Sequence, residues 1–309
     1  MRGAYGTFAS LADGIEGRLP DPIAATLADL PAAVAEALAN PGPPRRSSLP
    51  AAGYTFGVRS WGDPAARPLL LIHGVTASAA TWWRVGPALA ASGRHVVSPD
   101  LPGHGQTGPW RGRHHFAETA EDLLGFIRGA GLEQPDLQVI GHSWGGMVCA
   151  ALPAAGLRPE RLVLLDPPRW TEADFRAYVL DPGERHFDDL AAATAAMRAT
   201  YPAWDDRDVH AKAEGLTEFS EAAARSIVLE NGDWDSGLAA LADPAARDVQ
   251  VWYVKGEAAS GSLIPDAWLP GLAARVGWDH VLTVGGGAHS PQRMRPEATL
   301  VALLRALDG

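Results

Sequence analysis

Ser143 stands between glycines in Gly141-His142-Ser143-Trp144-Gly145-Gly146, where one kind of segment gives way to another. Leu137-Gln138-Val139-Ile140 before it has the apolar, β-branched character of a buried strand; Met147-Val148-Cys149-Ala150 after it continues as a small-residue helix. A serine on so tight a strand-to-helix turn takes a strained backbone in order to project its hydroxyl. Side chains two positions to either side would collide, so Gly141 and Gly145 answer a steric need, and Gly146 lets the helix approach the strand. The helix N-terminus behind Ser143 favours negative charge developing there, as in attack on a carbonyl carbon. Such a nucleophile needs a base. His289 follows Gly285-Gly286-Gly287-Ala288, a loop flexible enough to swing an imidazole over Ser143, take its proton and return it to a leaving group. His142 adjoins the nucleophile but is expected to point away across the elbow, in a packing or hydrogen-bonding role.

These residues need a scaffold, and the chain alternates as a parallel α/β sheet requires. Tyr54 to Trp61 reads as an early strand, and Leu69-Leu70-Leu71-Ile72 as one buried on both faces. A helix from about Ala79 to Ala91 follows, then a strand His95 to Asp100 and a helix Phe116 to Gly129 ahead of the elbow. Leu162-Val163-Leu164-Leu165 ends in Asp166-Pro167-Pro168. The strand signal then disappears until Val249-Gln250-Val251-Trp252-Tyr253-Val254; Val281 to Val284 is a last strand and Pro296 to Leu307 a closing helix. The fold class is therefore α/β, with a mostly parallel central sheet flanked by helices. Residues 1–50 read as an N-terminal helical extension and Pro-rich linker packed on the domain, 51–168 as the first part of the core, 169–246 as a helical lid and 247–309 as the second part. Among the lid's aromatics (Trp170, Tyr178, Phe187, Trp204, Phe219, Trp234) some are expected in its own core and others against substrate.

Composition narrows the function. The 309 residues carry a formal charge of −10 without a basic run, which argues against nucleic acid and anionic membranes as partners. Cys149 is the single cysteine, so neither an internal disulfide nor a cysteine metal cluster is available; behind Ser143 it reads as a small buried hydrophobe. His95, His114, His115, His186, His210 and His280 show no metal-ligand spacing, and no metal is expected. His73 and His104 are assigned to fixing loops. No apolar run is long enough to span a bilayer and no leader is evident, so a cytoplasmic location is expected. Oligomeric state is not legible.

His73-Gly74, Asp100-Leu101-Pro102-Gly103-His104-Gly105, the Ser143 elbow and Gly287-Ala288-His289-Ser290 together resemble the α/β-hydrolase superfamily, over roughly residues 54–168 and 249–307. The resemblance implies Ser143 as nucleophile, His289 as base, and the backbone N–H groups of Val75 and Trp144 as the oxyanion hole. It also explains Gly103-His104-Gly105-Gln106-Thr107-Gly108, which matches a dinucleotide-binding pattern but does not open a helix; no NAD or FAD is expected. The acid departs from the pattern. Most of the superfamily places it three residues beyond the glycine ending the next-to-last strand, and here Ala259 holds that position. Asp166 matches a location that some lactonase-like and dehalogenase-like members use, and Glu257 lies near the usual one. Asp166 is favoured, because a carboxylate at a rigid strand end can reach the imidazole.

The function expected is hydrolysis of a carboxylic ester or lactone through an acyl-enzyme, without cofactor, on a small-molecule substrate. Trp82, Trp83 and the lid aromatics point to a largely apolar acyl or alcohol group. Two alternatives stay open: a C–C bond hydrolase or perhydrolase using the same serine, and a non-hydrolytic small-molecule receptor on the same scaffold.

Overall fold

The computed structural model describes residues 19–109, 112–171, 173–174 and 185–309; the readings of residues 1–18 and of Tyr178 lie outside them. The main sheet comprises β1 (Arg45–Ala51), β2 (Tyr54–Trp61), β3 (Arg67–Ile72), β4 (Arg94–Pro99), β5 (Gln138–His142), β6 (Arg161–Leu165), β9 (Gln250–Gly256) and β10 (Val281–Val284). A separate two-residue ribbon pairs β7 (Arg169–Trp170) with β8 (Trp234–Asp235). The main order is β1-β2-β4-β3-β5-β6-β9-β10. β1, β2 and β4 pair antiparallel in turn, and each later pairing is parallel.

The apolar runs form central strands because both faces are covered. Leu70 and Ile72 of β3 join one core with helices Phe116–Gly129 and Trp144–Ala155. Leu69 and Leu71 join the other with helices Ala32–Ala39, Val85–Ala91 and Pro296–Asp308. Val139, Leu162 and Leu164 against Ile140, Val163 and Leu165 repeat this division, as the period of two demands. After β3 the chain moves outward to β4, then returns to β5 on the other side of β3. This reversal leaves a crevice beyond the carboxyl ends of β3 and β5, the place where open α/β sheets bind ligands.

Two expectations need correction. Residues 45–51 are not linker but the edge strand β1, in register with β2 from Arg45 opposite Ser60 to Ala51 opposite Tyr54. Its residues are exposed or half-buried, so no hydrophobic alternation marks it, and an edge accommodates Pro50. The extension also contributes to the opposite edge: Ile23 N–H donates to the Thr283 carbonyl (2.7 Å) and Gly285 N–H to the Ile23 carbonyl (2.8 Å). The single helix expected over 79–91 is a 3-10 turn, Ala79–Trp82, and a helix Val85–Ala91, with Pro87 tolerated in the latter's first turn. Between β6 and β9, the helices Leu190–Thr200, Asp206–Glu218 and Glu221–Glu230 begin at Asp189, Asp205 and Ser220, whose side chains accept from first-turn N–H groups.

Candidate active site

Ser143 ends β5 with φ 56° and ψ −125°, a region costly for a residue with a Cβ. The surroundings impose it. A Cβ on Gly141 would lie 2.4 Å from the Gly145 carbonyl oxygen, and one on Gly145 2.5 Å from that of His73. No side chain fits either place. Cys149 is buried against the same turn, with Sγ 2.7 Å from where a Gly141 Cβ would be, and burial pushes its thiol pKa well up. It is core, as its position in the sequence indicates.

His289 Nε2 lies 2.9 Å from Ser143 Oγ, and His289 Nδ1 lies 2.8 Å from Asp166 Oδ2. The structure thus brings together three residues far apart in the chain. Asp166, at the end of β6, also has positive φ (46°) and is fully buried. Its carboxylate accepts from Gly256 N–H (3.1 Å), Ser262 Oγ–H (2.5 Å) and Leu263 N–H (3.0 Å). A buried carboxylate with this many donors is held in one orientation. The carboxylate fixes the imidazole tautomer: Nδ1–H donates to Asp166, leaving Nε2 to accept from Ser143. Glu257 is placed differently. Its Oε2 accepts from Gly286 N–H at 2.7 Å, and its own N–H donates to the Gly287 carbonyl. It holds the loop that carries His289 and does not bond the imidazole.

That loop does not swing freely, as the glycines implied; it is pinned from three sides. Ile23 bonds Gly285, Glu257 bonds Gly286 and Gly287, and His142 Nε2–H donates to the His289 carbonyl at 2.8 Å. The glycines serve close approach: a Cβ on Gly256 would come within 2.4 Å of the Gly287 and Ala288 carbonyl oxygens. His142 consequently borders the site, with its ring centroid 5.0 Å from that of His289, and does not point away. Burial, and then the neighbouring His289, keep its pKa well below the ordinary histidine value; it stays neutral.

Val75 lines the cavity onto which Ser143 opens, and Trp144 follows Ser143 directly in the chain. Trp144 heads the helix behind Ser143. A Cβ on Gly74 would lie 3.1 Å from Ser143 Cβ, so the Gly74-Val75 peptide runs beside the nucleophile. This loop is fixed by histidines. His73 Nδ1–H donates to the Gly74 carbonyl (2.8 Å) while its Nε2 accepts from Leu101 N–H (3.0 Å); His104 Nε2 lies 2.5 Å from the Val75 carbonyl oxygen. Burial lowers the pKa of each to about 4, so both are neutral near pH 7. The Asp100 loop is likewise structural: its carboxylate accepts from Ala79 and Gln106 N–H groups.

A cavity of about 420 Å³ opens onto Ser143 and His289, and Trp170, Tyr201, Trp204 and Trp234 contribute to its wall. Phe187 and Phe219 instead belong to the core. Trp82 and Trp83 do not line the cavity. Trp82 is fully buried in the other core, and Trp83 Nε1–H donates to Asp208 beneath the Arg84 and Arg207 guanidinium groups. Lys212 and Arg293 also line the cavity, and sequence reasoning had not singled them out. One signal existed: Lys212 and Lys255 are the chain's two lysines, and both are buried, where lysine is rarely placed without a partner or a task.

Residues 67–222 match the family model described as the alpha/beta hydrolase fold. The chain belongs to this family and is a hydrolase. It is 28% identical over 267 residues to the protein named lipase LipV from Mycobacterium tuberculosis, covering 82% of this chain and 97% of that one. It is also 28% identical over 274 residues to 2-(acetamidomethylene)succinate hydrolase from Mesorhizobium japonicum, covering 82% and 92%. The solved structure of E-2-(acetamidomethylene)succinate hydrolase superimposes with a TM-score of 0.72 at 22% identity, over 86% of this chain and 99% of that one; at that identity it speaks for the fold alone.

Proposed function

We propose that this protein is a serine hydrolase that cleaves a carboxylic ester or lactone through an acyl-enzyme on Ser143. The observation that carries the reading is the unbroken line Ser143 Oγ, His289 Nε2, His289 Nδ1, Asp166 Oδ2, with links of 2.9 and 2.8 Å. A receptor would have no need of a strained serine aligned with an oriented base. His289 takes the Ser143 proton as Oγ bonds to the carbonyl carbon. The resulting oxyanion is held by the backbone N–H groups of Val75 and Trp144. The tetrahedral adduct collapses, the C–O bond to the alcohol breaks, and the imidazolium protonates the departing oxygen. Water, deprotonated by His289, then attacks the acyl-enzyme and releases the acid and Ser143.

The segment 169–246 acts in this reading as the lid. It supplies Trp170, Tyr201, Trp204, Lys212 and Trp234 to the cavity wall, so it shapes the space the substrate occupies above Ser143. The relative named a lipase is consistent with ester cleavage. A fluorophosphonate is expected to add one mass increment to the protein and none to Ser143→Ala, which stays folded and loses p-nitrophenyl ester turnover. Turnover unchanged in that variant would refute the reading.

A further inference from the structure

Asp166 Oδ2 faces His289 Nδ1 at 2.8 Å and accepts from Leu263 N–H at 3.0 Å. Its Oδ1 accepts from Gly256 N–H at 3.1 Å and from Ser262 Oγ–H at 2.5 Å. Each oxygen thus has two partners, and the carboxylate plane is set from both ends. Gly256 and Leu263 contribute main-chain N–H groups, which any residue but proline would supply there. Among the described residues the Ser262 hydroxyl is the one donor, His289 aside, that a side chain provides. Its direction is fixed as well. Ser262 Oγ accepts from Ile264 N–H at 3.2 Å, so the hydroxyl proton is left for Oδ1.

Ser262 is itself held in place. Its N–H donates to the Glu257 carbonyl at 3.1 Å, and the Leu263 carbonyl accepts from Arg169 N–H at 2.9 Å. Further on, the fully buried Lys255 pairs with Asp266 at 2.8 Å. The segment 257–266 is therefore tied to β9 and to β7. Ser260, Gly261 and Leu263 line the cavity, whereas the Ser262 hydroxyl goes to the acid. Ala259 on this segment holds the position where most of the superfamily carries its acid; here the acid stands at the end of β6, and the segment supplies its donors instead.

We propose that Ser262 is a positioning residue for the hydrolysis, acting through Asp166 on the His289 imidazole. Without the hydroxyl, Oδ1 keeps only the longer bond from Gly256, and the carboxylate is free to rotate about its Cβ–Cγ bond away from Nδ1. A lost hydrogen bond to a charged group is worth roughly ten-fold or more where that charge orients the base. The hydroxyl also draws negative charge away from the oxygen that faces Nδ1, so its removal favours the imidazolium. This inference rests on the reading of Ser143 as nucleophile and His289 as base, and its test separates the two.

The experiment compares Ser262→Thr with Ser262→Val, which share a shape and differ in the hydroxyl, by steady-state kinetics on one p-nitrophenyl ester across pH. Thermal denaturation confirms that each is folded, and wild type is labelled with a fluorophosphonate in parallel. Ser262→Thr should stay within about three-fold of wild type, and Ser262→Val should lose roughly ten-fold or more in kcat with KM little changed. The acid limb of kcat/KM should move up by about half a pH unit in Ser262→Val. The other titratable and charged groups around the imidazole are His142 on the elbow, its ring centroid 5.0 Å away, Lys212 on the helix Asp206–Glu218 and Arg293 after the histidine loop; the substitution alters none of them. On an Asp166→Ala background Ser262→Val should cost less than about two-fold more, because the group it acts through is gone. Equal activity of the threonine and valine variants, in an enzyme that labels and turns over, overturns the positioning role and leaves the hydrolase reading intact. An unmoved acid limb, or an undiminished loss on the Asp166→Ala background, overturns it too, since the hydroxyl would then serve only its own loop. If Ser262→Val fails to fold, Ser262→Ala is read against Ser262→Thr by the same criteria. A folded wild type that neither labels nor turns over any ester overturns the hydrolase reading and the positioning role with it.

Discussion

At the scale of single residues, two carboxylates within one strand end of each other have separate tasks. Asp166 bonds the imidazole, whereas Glu257 bonds a backbone N–H in the loop that carries it. Asp166→Asn replaces an acceptor facing Nδ1–H by an amide that can present N–H there, favouring the wrong tautomer. Turnover is expected to fall by about ten-thousand-fold, the size measured for the equivalent change in the serine protease that serves as the general reference. Glu257→Gln keeps an acceptor for Gly286 and should lose less than about ten-fold. Steady-state kinetics on one ester decides between them, and equal losses would mean that Asp166 is not the orienting acid. His142 is the neighbour whose direction was misread from its place in the chain, while the hydrogen-bonding role expected of it holds. The residue before a nucleophile cannot reach it, yet it can reach the backbone of the base brought alongside by folding.

At the scale of elements, the elbow is the most constrained junction. The atom that a Gly145 Cβ would strike, the His73 carbonyl oxygen at 2.5 Å, is backbone of the neighbouring loop and cannot rotate aside. Gly145→Ala should therefore cost about 3 kcal/mol or more and disturb the Gly74-Val75 peptide as well. Gly42→Ala, where nothing lies within 4 Å and no positive φ is required, is the control. Thermal denaturation of the two should separate them clearly. Edge elements show the opposite. β1 is exposed or half-buried without alternation, and the Ile23 bridge is a pair of backbone hydrogen bonds; side-chain patterns carry little record of either. Among the described residues no helix is long and apolar enough to cross a membrane.

At the scale of the whole molecule, neutral buried histidines couple folding to pH. His73 and His104 each have a pKa lowered to about 4 by burial, and His114, beside Trp144, is lowered to about 3. The unfolded chain takes up protons on these groups below its ordinary value near 6.5, while the folded chain takes them up only near 4 and below. Their contribution is complete above pH 6.5 and is lost as pH falls toward 4. The slope is of order 1.4 kcal/mol per pH unit for each group. Urea denaturation midpoints should drop progressively over that window, and His104→Gln should flatten the slope. A midpoint independent of pH from 7 to 4 would show that the cluster is not titrating on unfolding.

The elbow, the parallel sheet and the candidacy of Ser143 and His289 were legible in the chain because each is a local demand. Glycines are needed within two residues of a strained serine, and central strands need unbroken apolar runs. Asp166 was favoured over Glu257 from one strand end; the donors that orient its carboxylate, Gly256, Ser262 and Leu263, converge on it only after β6 and β9 pair. Lys212 and Arg293 left no local pattern. They stand 81 positions apart and share a cavity wall only because the helix Asp206–Glu218 seats on the Thr76 loop while Arg293 follows the histidine loop. Local sterics write themselves into adjacent residues; charges that meet across a cavity are related only by the packing that encloses it.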